Sequence, residues 1–399
     1  MPIGTAVHER TFALCESLNY REWSGYYAVS AYEGHHEHEY NAIRNASAVI
    51  DVSPLYKYLV TGRDAARFID RLITRDVVKM AVGQVFYTPW CDEHGKVIDD
   101  GTVSRLDEQT FRWTAADPSL RWFSQNAAGM DVRIEDVSEE VAALALQGPT
   151  SARLLRSIAG VDIDGLKYFR VTRGTIGGVS VEISRTGYTG DLGYEIWMPA
   201  QHALRVWDAL MDGGKAFDIK PVGMLALDVA RIEAGLLLID VDFFSSKKAM
   251  IPSQMYSPYE MNLGRLVSLT KGRFIGQQAL RDEYRRGHER QIVGLEVQWT
   301  DVEAIYEKLG LPPSVGATAS RIAVPVYRNG RQVGRATSTT WSPVLKKMIA
   351  LATVDRPYYA NGTKLDMEVT VEAVRHKVGA TVTNTPFFDP GRKTATPPA

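Results

Sequence analysis

The sequence predicts an α+β protein of two to three domains whose final third is rich in β-structure. Three observations lead there. The chain has 399 residues, too many for one core at roughly 150 residues per domain. Its first two-thirds mix strand-like runs with helices of moderate length, without the regular alternation of a parallel sheet. Its final third is dominated by β-type segments around a strong hairpin signal. Hydrophobic residues make up 45% and charged residues 23%, as in globular proteins.

Taken in order, YKYLVT from Tyr56 reads as a strand. Ala65, Phe68, Ile69, Leu72 and Ile73 follow the three-four spacing of an amphipathic helix. Asp92-Glu93-His94-Gly95 reads as a hairpin turn. Pro149-Thr150 starts a second helix bearing Leu154, Leu155 and Ile158. YFRVTR from Tyr168 and VSVEIS from Val179 read as strands. A third helix carries Leu204, Trp207, Leu210 and Met211, with Gly213-Gly214 expected to end it in a left-handed cap. The charged run Arg281 to Arg290 reads as a solvated helix end and linker, the other reading being a docking patch for an anionic substrate tail. A domain boundary is expected near residue 285. Beyond it come QIVGLEVQW and IAVPVYRNGRQVGRATS, in which Asn329-Gly330 supplies the two positive-φ positions of a tight hairpin. Residues 391–399, GRKTATPPA, have too little apolar surface to offset their ordering entropy and are expected to be disordered.

Composition excludes several functions. Forty-six basic against 47 acidic residues leave a net charge of −1, without the clustered positive charge of a nucleic-acid binder. No apolar run reaches the roughly 18 residues of a membrane span, and the first twenty residues lack a secretory signal pattern. Two cysteines, Cys15 and Cys91, make no disulfide framework, so a cytoplasmic address is expected. There is no Walker-type loop and no G-x-S-x-G elbow. Gly187, Gly190 and Gly193 miss the dinucleotide fingerprint. His35, His36 and His38 invite a metal reading, but their spacing lacks the i, i+4 pair, so a solvated or capping segment is preferred and no metal is expected.

Two segments carry candidate chemistry. In FYTPWCDEHGKVIDDG, residues 86–101, the adjacent Asp99 and Asp100 point to opposite faces of a strand. One can then face a cap while the other faces an interior cavity; the plainer alternative is a turn feature. In SRTGYTGDLGYEIW, residues 184–197, Tyr188 can stack on a flat ring. Glu195, on the returning strand, can accept two parallel N–H bonds from a guanidine-like edge. An ordinary hairpin is the plainer alternative.

Together these segments resemble the T-protein superfamily, the folate-dependent aminomethyltransferases and demethylases, collinearly over roughly residues 20–390. Asp51-Val52-Ser53, GRDAARFIDRLITRDV, Leu146-Gln147-Gly148-Pro149, ARIEAGLLL, FIGQQAL from Phe274 and ATSTTWSPVLKKMIALATV agree in order. The resemblance implies a three-domain cloverleaf ring with tetrahydrofolate in a central funnel. It implies a discontinuous first domain, residues 1–52 with 140–245, a second of 53–139 with 246–284, and a C-terminal β-barrel-like domain of 285–390. It implies Asp100 as the catalytic acid by the folate N5–N10 region and Glu195 as the ligand of the pterin edge. Tyr87, Thr102, Thr114 and Tyr188 are implied to line the cofactor.

Departures from the glycine cleavage pattern bear on the substrate. G-A-R-D reads Leu225-Ala226-Leu227-Asp228, so an arginine becomes Leu227. D-V-S-H-M reads Asp51-Val52-Ser53-Pro54-Leu55, the asparagine of V-N-A is Thr114, and Y-G-Q-D reads Ile239-Asp240-Val241-Asp242 before an extended loop. FYTPWCDEHG and SRLDEQTFRW are similar to the dimethylsulfoniopropionate demethylase branch. The expected activity is therefore methyl transfer from a small S-, N- or O-methylated donor to N5 of tetrahydrofolate, by a monomer or homodimer with no nucleic-acid or membrane partner. A cationic donor would need aromatic faces, for which Trp23, Tyr26, Tyr27, Trp90 and Trp113 are candidates beside their core-packing role. An aryl ether would instead need an acid. The alternatives are glycine-cleavage aminomethyl transfer, a folate domain serving a separate flavin oxidase, and a folate-binding iron–sulfur assembly factor. The last is marked by K-G-C-Y-x-G-Q, but the chain reads Lys271-Gly272-Arg273-Phe274-Ile275-Gly276-Gln277, without the cysteine.

Overall fold

The computed structural model describes residues 1–397 and contains three principal sheets. A six-stranded sheet runs in the order Val171–Ile176, Val179–Ser184, Gly193–Pro199, Val141–Gln147, Ala48–Asp51 and Lys220–Pro221. Its central strands are apolar on both faces. Leu144, Leu146, Tyr194 and Ile196 pack with Leu154, Leu155, Trp207 and Leu210 from the Ser151–Ile158 and Ala203–Gly214 helices. The alternate residues Ala143, Ala145 and Trp197 pack with Tyr40, Ile43, Leu227 and Ala230 from the Glu37–Asn45 and Met224–Glu233 helices. The two-residue period of a strand thus divides one sequence between two cores.

A five-stranded sheet orders Val85–Cys91, Val97–Asp107, Thr110–Ala115, Tyr56–Thr61 and Arg133–Asp136. One face buries Tyr58, Val60, Val103, Phe111 and Trp113 against Phe68, Ile69 and Leu72 of the Ala65–Leu72 helix. The third sheet is a closed six-stranded barrel of Arg290–Val297, Lys347–Asp355, Arg331–Ser342, Val324–Arg328, Lys364–Val371 and Val374–Thr383. Closure leaves no free edge. A shared cluster joins the three units: Cys91 and Val97 from the second sheet, Ile232 from the Met224–Glu233 helix, and Ile292, Ile349 and Leu351 from the barrel.

The α+β class and the β-rich final third are as the sequence predicts. Asn329 and Gly330 turn at φ 51° and 80°, both in the left-handed region. Four local readings need correction. The strand expected from Tyr168 begins at Val171, because Phe169 turns at φ 56° and a turn bond joins Arg170 to Lys167. Gly213 and Gly214 do not cap their helix: the helix runs through Gly214, and the left-handed residue is Asp218 at φ 50°. These glycines are small for packing, since a Cβ on Gly213 would lie 2.5 Å from Ile158 and one on Gly214 would lie 2.4 Å from Ile219. Arg290, expected in a solvated run, instead lies 4.0 Å over the Tyr256 ring and pairs with Glu260. The tail expected to be disordered from residue 391 docks as far as the described residues go. Arg392 forms a two-pronged pair with Asp191, and Arg185 donates to the carbonyls of Arg392, Lys393 and Ala395. The Arg392–Asp191 pair and arginine hydrogen bonds to backbone carbonyls tie this segment down; residues 398–399 lie outside the described residues.

Candidate active site

The second sheet sorts its residues by face. Val103 pairs with Trp113 toward the helical core, while Ser104 pairs with Arg112 on the opposite face. Asp100 and Thr102 share parity with Ser104, and Thr114 shares parity with Arg112. Tyr87 stands opposite Thr102 on the neighbouring strand. Four of the sequence-selected residues, Tyr87, Asp100, Thr102 and Thr114, therefore meet on one face. Gly101 separates the two acids from Thr102. A Cβ there would lie 2.0 Å from the Thr114 carbonyl oxygen, so only glycine permits this approach of the strands.

The adjacent carboxylates divide their roles. Asp99 is fully buried on the core side, accepting N–H bonds of 3.0 Å from Ala116 and Asp117 and one of 2.8 Å from Asp100. It caps a turn. Asp100 is half-buried, and its Oδ2 accepts a 2.6 Å bond from the Tyr87 hydroxyl. Its Oδ1 accepts no bond from another side chain or from another residue's backbone among the described residues. Burial pushes the Asp100 carboxyl up to about 6, against the opposing effect of the Tyr87 bond. Burial, then the charge of Asp100, pushes the Tyr87 hydroxyl well above its ordinary value. Thr102 and Thr114 bond to each other at 2.7 Å, so their hydroxyls are mutually engaged.

Glu195 and Tyr188 arrive from the first sheet and its loop. Glu195 stands opposite Ser184 on the half of the sheet that carries Trp197. Its Oε2 accepts a 2.5 Å bond from Thr186, leaving Oε1 without a protein partner among the described residues. Burial raises the Glu195 carboxyl, while Thr186 and then Arg112 oppose the rise. The Tyr188 hydroxyl donates to the Leu237 carbonyl, and burial raises its pKa. Its ring borders the apolar cluster that contains Leu227, alongside Trp23 and Leu55. Two departures from the glycine cleavage pattern, Leu227 within this cluster and Leu55 at its border, therefore belong to the same apolar core that Tyr188 borders.

Packing removes two of the aromatic candidates. Trp90 and Trp113 are fully buried, 5.1 Å apart edge to face, with Phe123 against both. Neither face is open to a cationic donor, because both rings belong to the core of the second sheet. Tyr27 is exposed and stacks on His8. His36 is buried, His35 is exposed, and His38 pairs with Glu33 at 2.8 Å. Sequence reasoning missed Thr186 and Arg112. The alternation Arg112-Trp113-Thr114 would have placed Arg112 on the face of Thr114.

Sheets flanked by helices, followed by a closed barrel, are the architecture of a known enzyme family. The GCVT N-terminal domain model matches residues 5–271, and the glycine cleavage T-protein C-terminal barrel domain matches residues 310–389. The chain belongs to the glycine cleavage T-protein family. It is 33% identical over 334 residues to the aminomethyltransferase of Caldanaerobacter subterraneus subsp. tengcongensis, 82% of each chain. It is 34% identical over 402 residues to the trimethylamine-oxide aldolase of Ruegeria pomeroyi, covering 97% of this chain and 47% of that protein, so it spans about half of that relative. The glycine cleavage system aminomethyltransferase T of Bartonella henselae shares its fold, with a TM-score of 0.82, 22% identity, and coverage of 98% of this chain and 99% of that one. No helix among the described residues is long and apolar enough to cross a membrane.

Proposed function

We infer that this protein is a tetrahydrofolate-dependent methyltransferase that moves a methyl group from a small S-, N- or O-methylated donor to N5 of the folate. The observation that carries the reading is the Tyr87–Asp100 pair, a half-buried carboxylate with one oxygen held and the other free. The acceptor set fits a reduced pterin: Glu195 Oε1 suits the N–H groups of the guanidine-like edge, and Asp100 Oδ1 suits an amine N–H. Tetrahydrofolate, when bound, supplies a nucleophilic nitrogen that accepts the one-carbon unit. Asp100, ionised above about pH 6, orients that nitrogen and stabilises the positive charge growing there. Tyr87 fixes the carboxylate in place. Such positioning can be worth about 7–11 kcal/mol of the barrier. Leu227, in place of the arginine of the glycine cleavage pattern, supports a donor other than a carrier-bound aminomethyl group. A monomer or homodimer in the cytoplasm is part of the same proposal, in keeping with two buried, unpaired cysteines.

Aminomethyl transfer is the second reading, favoured by the aminomethyltransferase relatives. Anaerobic incubation with tetrahydrofolate and a panel of methylated ammonium, amine-oxide, sulfonium and aryl ether compounds separates the two. Because one relative is named for trimethylamine oxide, nitrogen donors come first. Formation of 5-methyltetrahydrofolate with one donor class is expected; 5,10-methylenetetrahydrofolate from an aminomethyl donor would favour the second reading. Asp100→Ala is expected to abolish turnover with an unchanged circular dichroism spectrum. Wild-type turnover by that variant would remove Asp100 from catalysis.

A further inference from the structure

Arg112 precedes Thr114 by two residues on the face that carries Asp100 and Thr102, and it is 5% exposed. Its side chain reaches the first sheet, where Nη1 donates to Glu182 and the guanidinium lies 4.1 Å over the Trp197 ring. Glu182 and Trp197 are cross-strand partners, and Ser184 and Glu195 form the next pair on that face. Same-face rows are about 7 Å apart along a strand. Nε and Nη2 of Arg112 are buried without a hydrogen-bond partner. Burying such donors unpaired costs about 1–3 kcal/mol, which a strut serving Glu182 alone does not require.

We propose that Arg112 is a positioning residue: its guanidinium, held between Glu182 and the Trp197 ring one row from Glu195, supplies the positive charge that steadies the carboxylate facing the pterin edge. The claim about the pterin rests on the functional reading above; the claim about Glu195 does not. Burial drives that carboxyl toward its neutral form, and a neutral carboxyl accepts the two N–H bonds of a pterin edge poorly. Arg112 from the Thr110–Ala115 strand and the Thr186 hydroxyl oppose this. Glu182, from the Val179–Ser184 strand, draws on the same guanidinium, with Arg173 3.7 Å from its other oxygen. Lys57, from the Tyr56–Thr61 strand, is held by the Ser53 and Leu55 carbonyls, and burial lowers it to about 8.

The test reads the Glu195 carboxyl directly, by ¹³C NMR of protein labelled at glutamate Cδ, with Glu195→Gln assigning the signal. Arg112→Met should raise the titration midpoint, Glu182→Gln should lower it by freeing the guanidinium, and Arg112→Lys should stay close to wild type. Unchanged midpoints, or shifts of the same sign in Arg112→Met and Glu182→Gln, would overturn the proposal. A strut that merely loosens the sheets gives no opposed signs. Binding of 5-formyltetrahydrofolate, which shares the pterin edge, supplies the second readout. The wild-type dissociation constant should change less than threefold from pH 8 to pH 6, while that of Arg112→Met should weaken at least tenfold. Equal weakening at both pH values would defeat the inference while leaving the folate reading intact. Opposed midpoint shifts in a protein that binds no folate would sustain the charge role and defeat the folate reading.

Discussion

Removing the Tyr87 hydroxyl tests the working state of Asp100. Tyr87→Phe deletes the 2.6 Å bond that counteracts the burial of Asp100 and leaves the ring in place. A hydrogen bond to a charged group is worth about 1.5–3 kcal/mol. One pKa unit corresponds to about 1.4 kcal/mol, so the carboxyl, at about 6 in the wild type, should rise by roughly 1–2. If ionised Asp100 is the working form, the acid limb of kcat/KM moves upward with it. At pH 7 the ionised fraction falls from about nine-tenths to a quarter, a loss of about fourfold, and activity recovers by about pH 9. The assay is the pH dependence of methyl transfer between pH 5 and 9.5. An acid limb still near 6, or an equal loss at every pH, would refute the reasoning. Stability follows the same carboxyl. Its folded pKa lies above the ordinary 3.8, so the folded state binds the extra proton. That contribution is complete below about pH 3.8 and is lost as pH rises through about 6.

Other perturbations have distinct expected outcomes. Glu195→Ala should weaken folate binding at least tenfold by calorimetry; an unchanged dissociation constant would contradict the pterin assignment. Gly101→Ala places a Cβ 2.0 Å from the Thr114 carbonyl oxygen and should cost about 1–3 kcal/mol in urea denaturation; an unmoved midpoint would show that the strands yield. Arg231→Ala removes the buried partner of Asp242, which sits 2.6 Å away and also accepts from Thr337 and Ser338 of the barrel. About 3–5 kcal/mol of stability should be lost, and a loss below about 1 kcal/mol would mean that water reaches the stranded carboxylate.

The legible parts of the fold are those fixed by neighbours in sequence. Asn329-Gly330 announced its hairpin because the turn itself demands two positive-φ positions. The Phe68, Ile69, Leu72 spacing announced its helix because the period of the backbone selects one buried stripe. Asp99 and Asp100 fall on opposite faces by adjacency alone, since alternation in a strand is local geometry. What alternation leaves open is which face becomes core. That choice buried Trp90 and Trp113 and kept Asp100 toward the opposite side.

By itself, then, the sequence determined the α+β class, the Asn329-Gly330 hairpin and the acids on which a functional reading rests. The tertiary structure alone decided which aromatic rings were spent on the core, that Arg112 would meet Glu182 across 70 positions, and that Arg392 would reach back 201 positions to Asp191. The physical reason is range. Backbone preference and side-chain alternation are set within a few residues, whereas ion pairs between sheets exist only once packing has brought distant strands together.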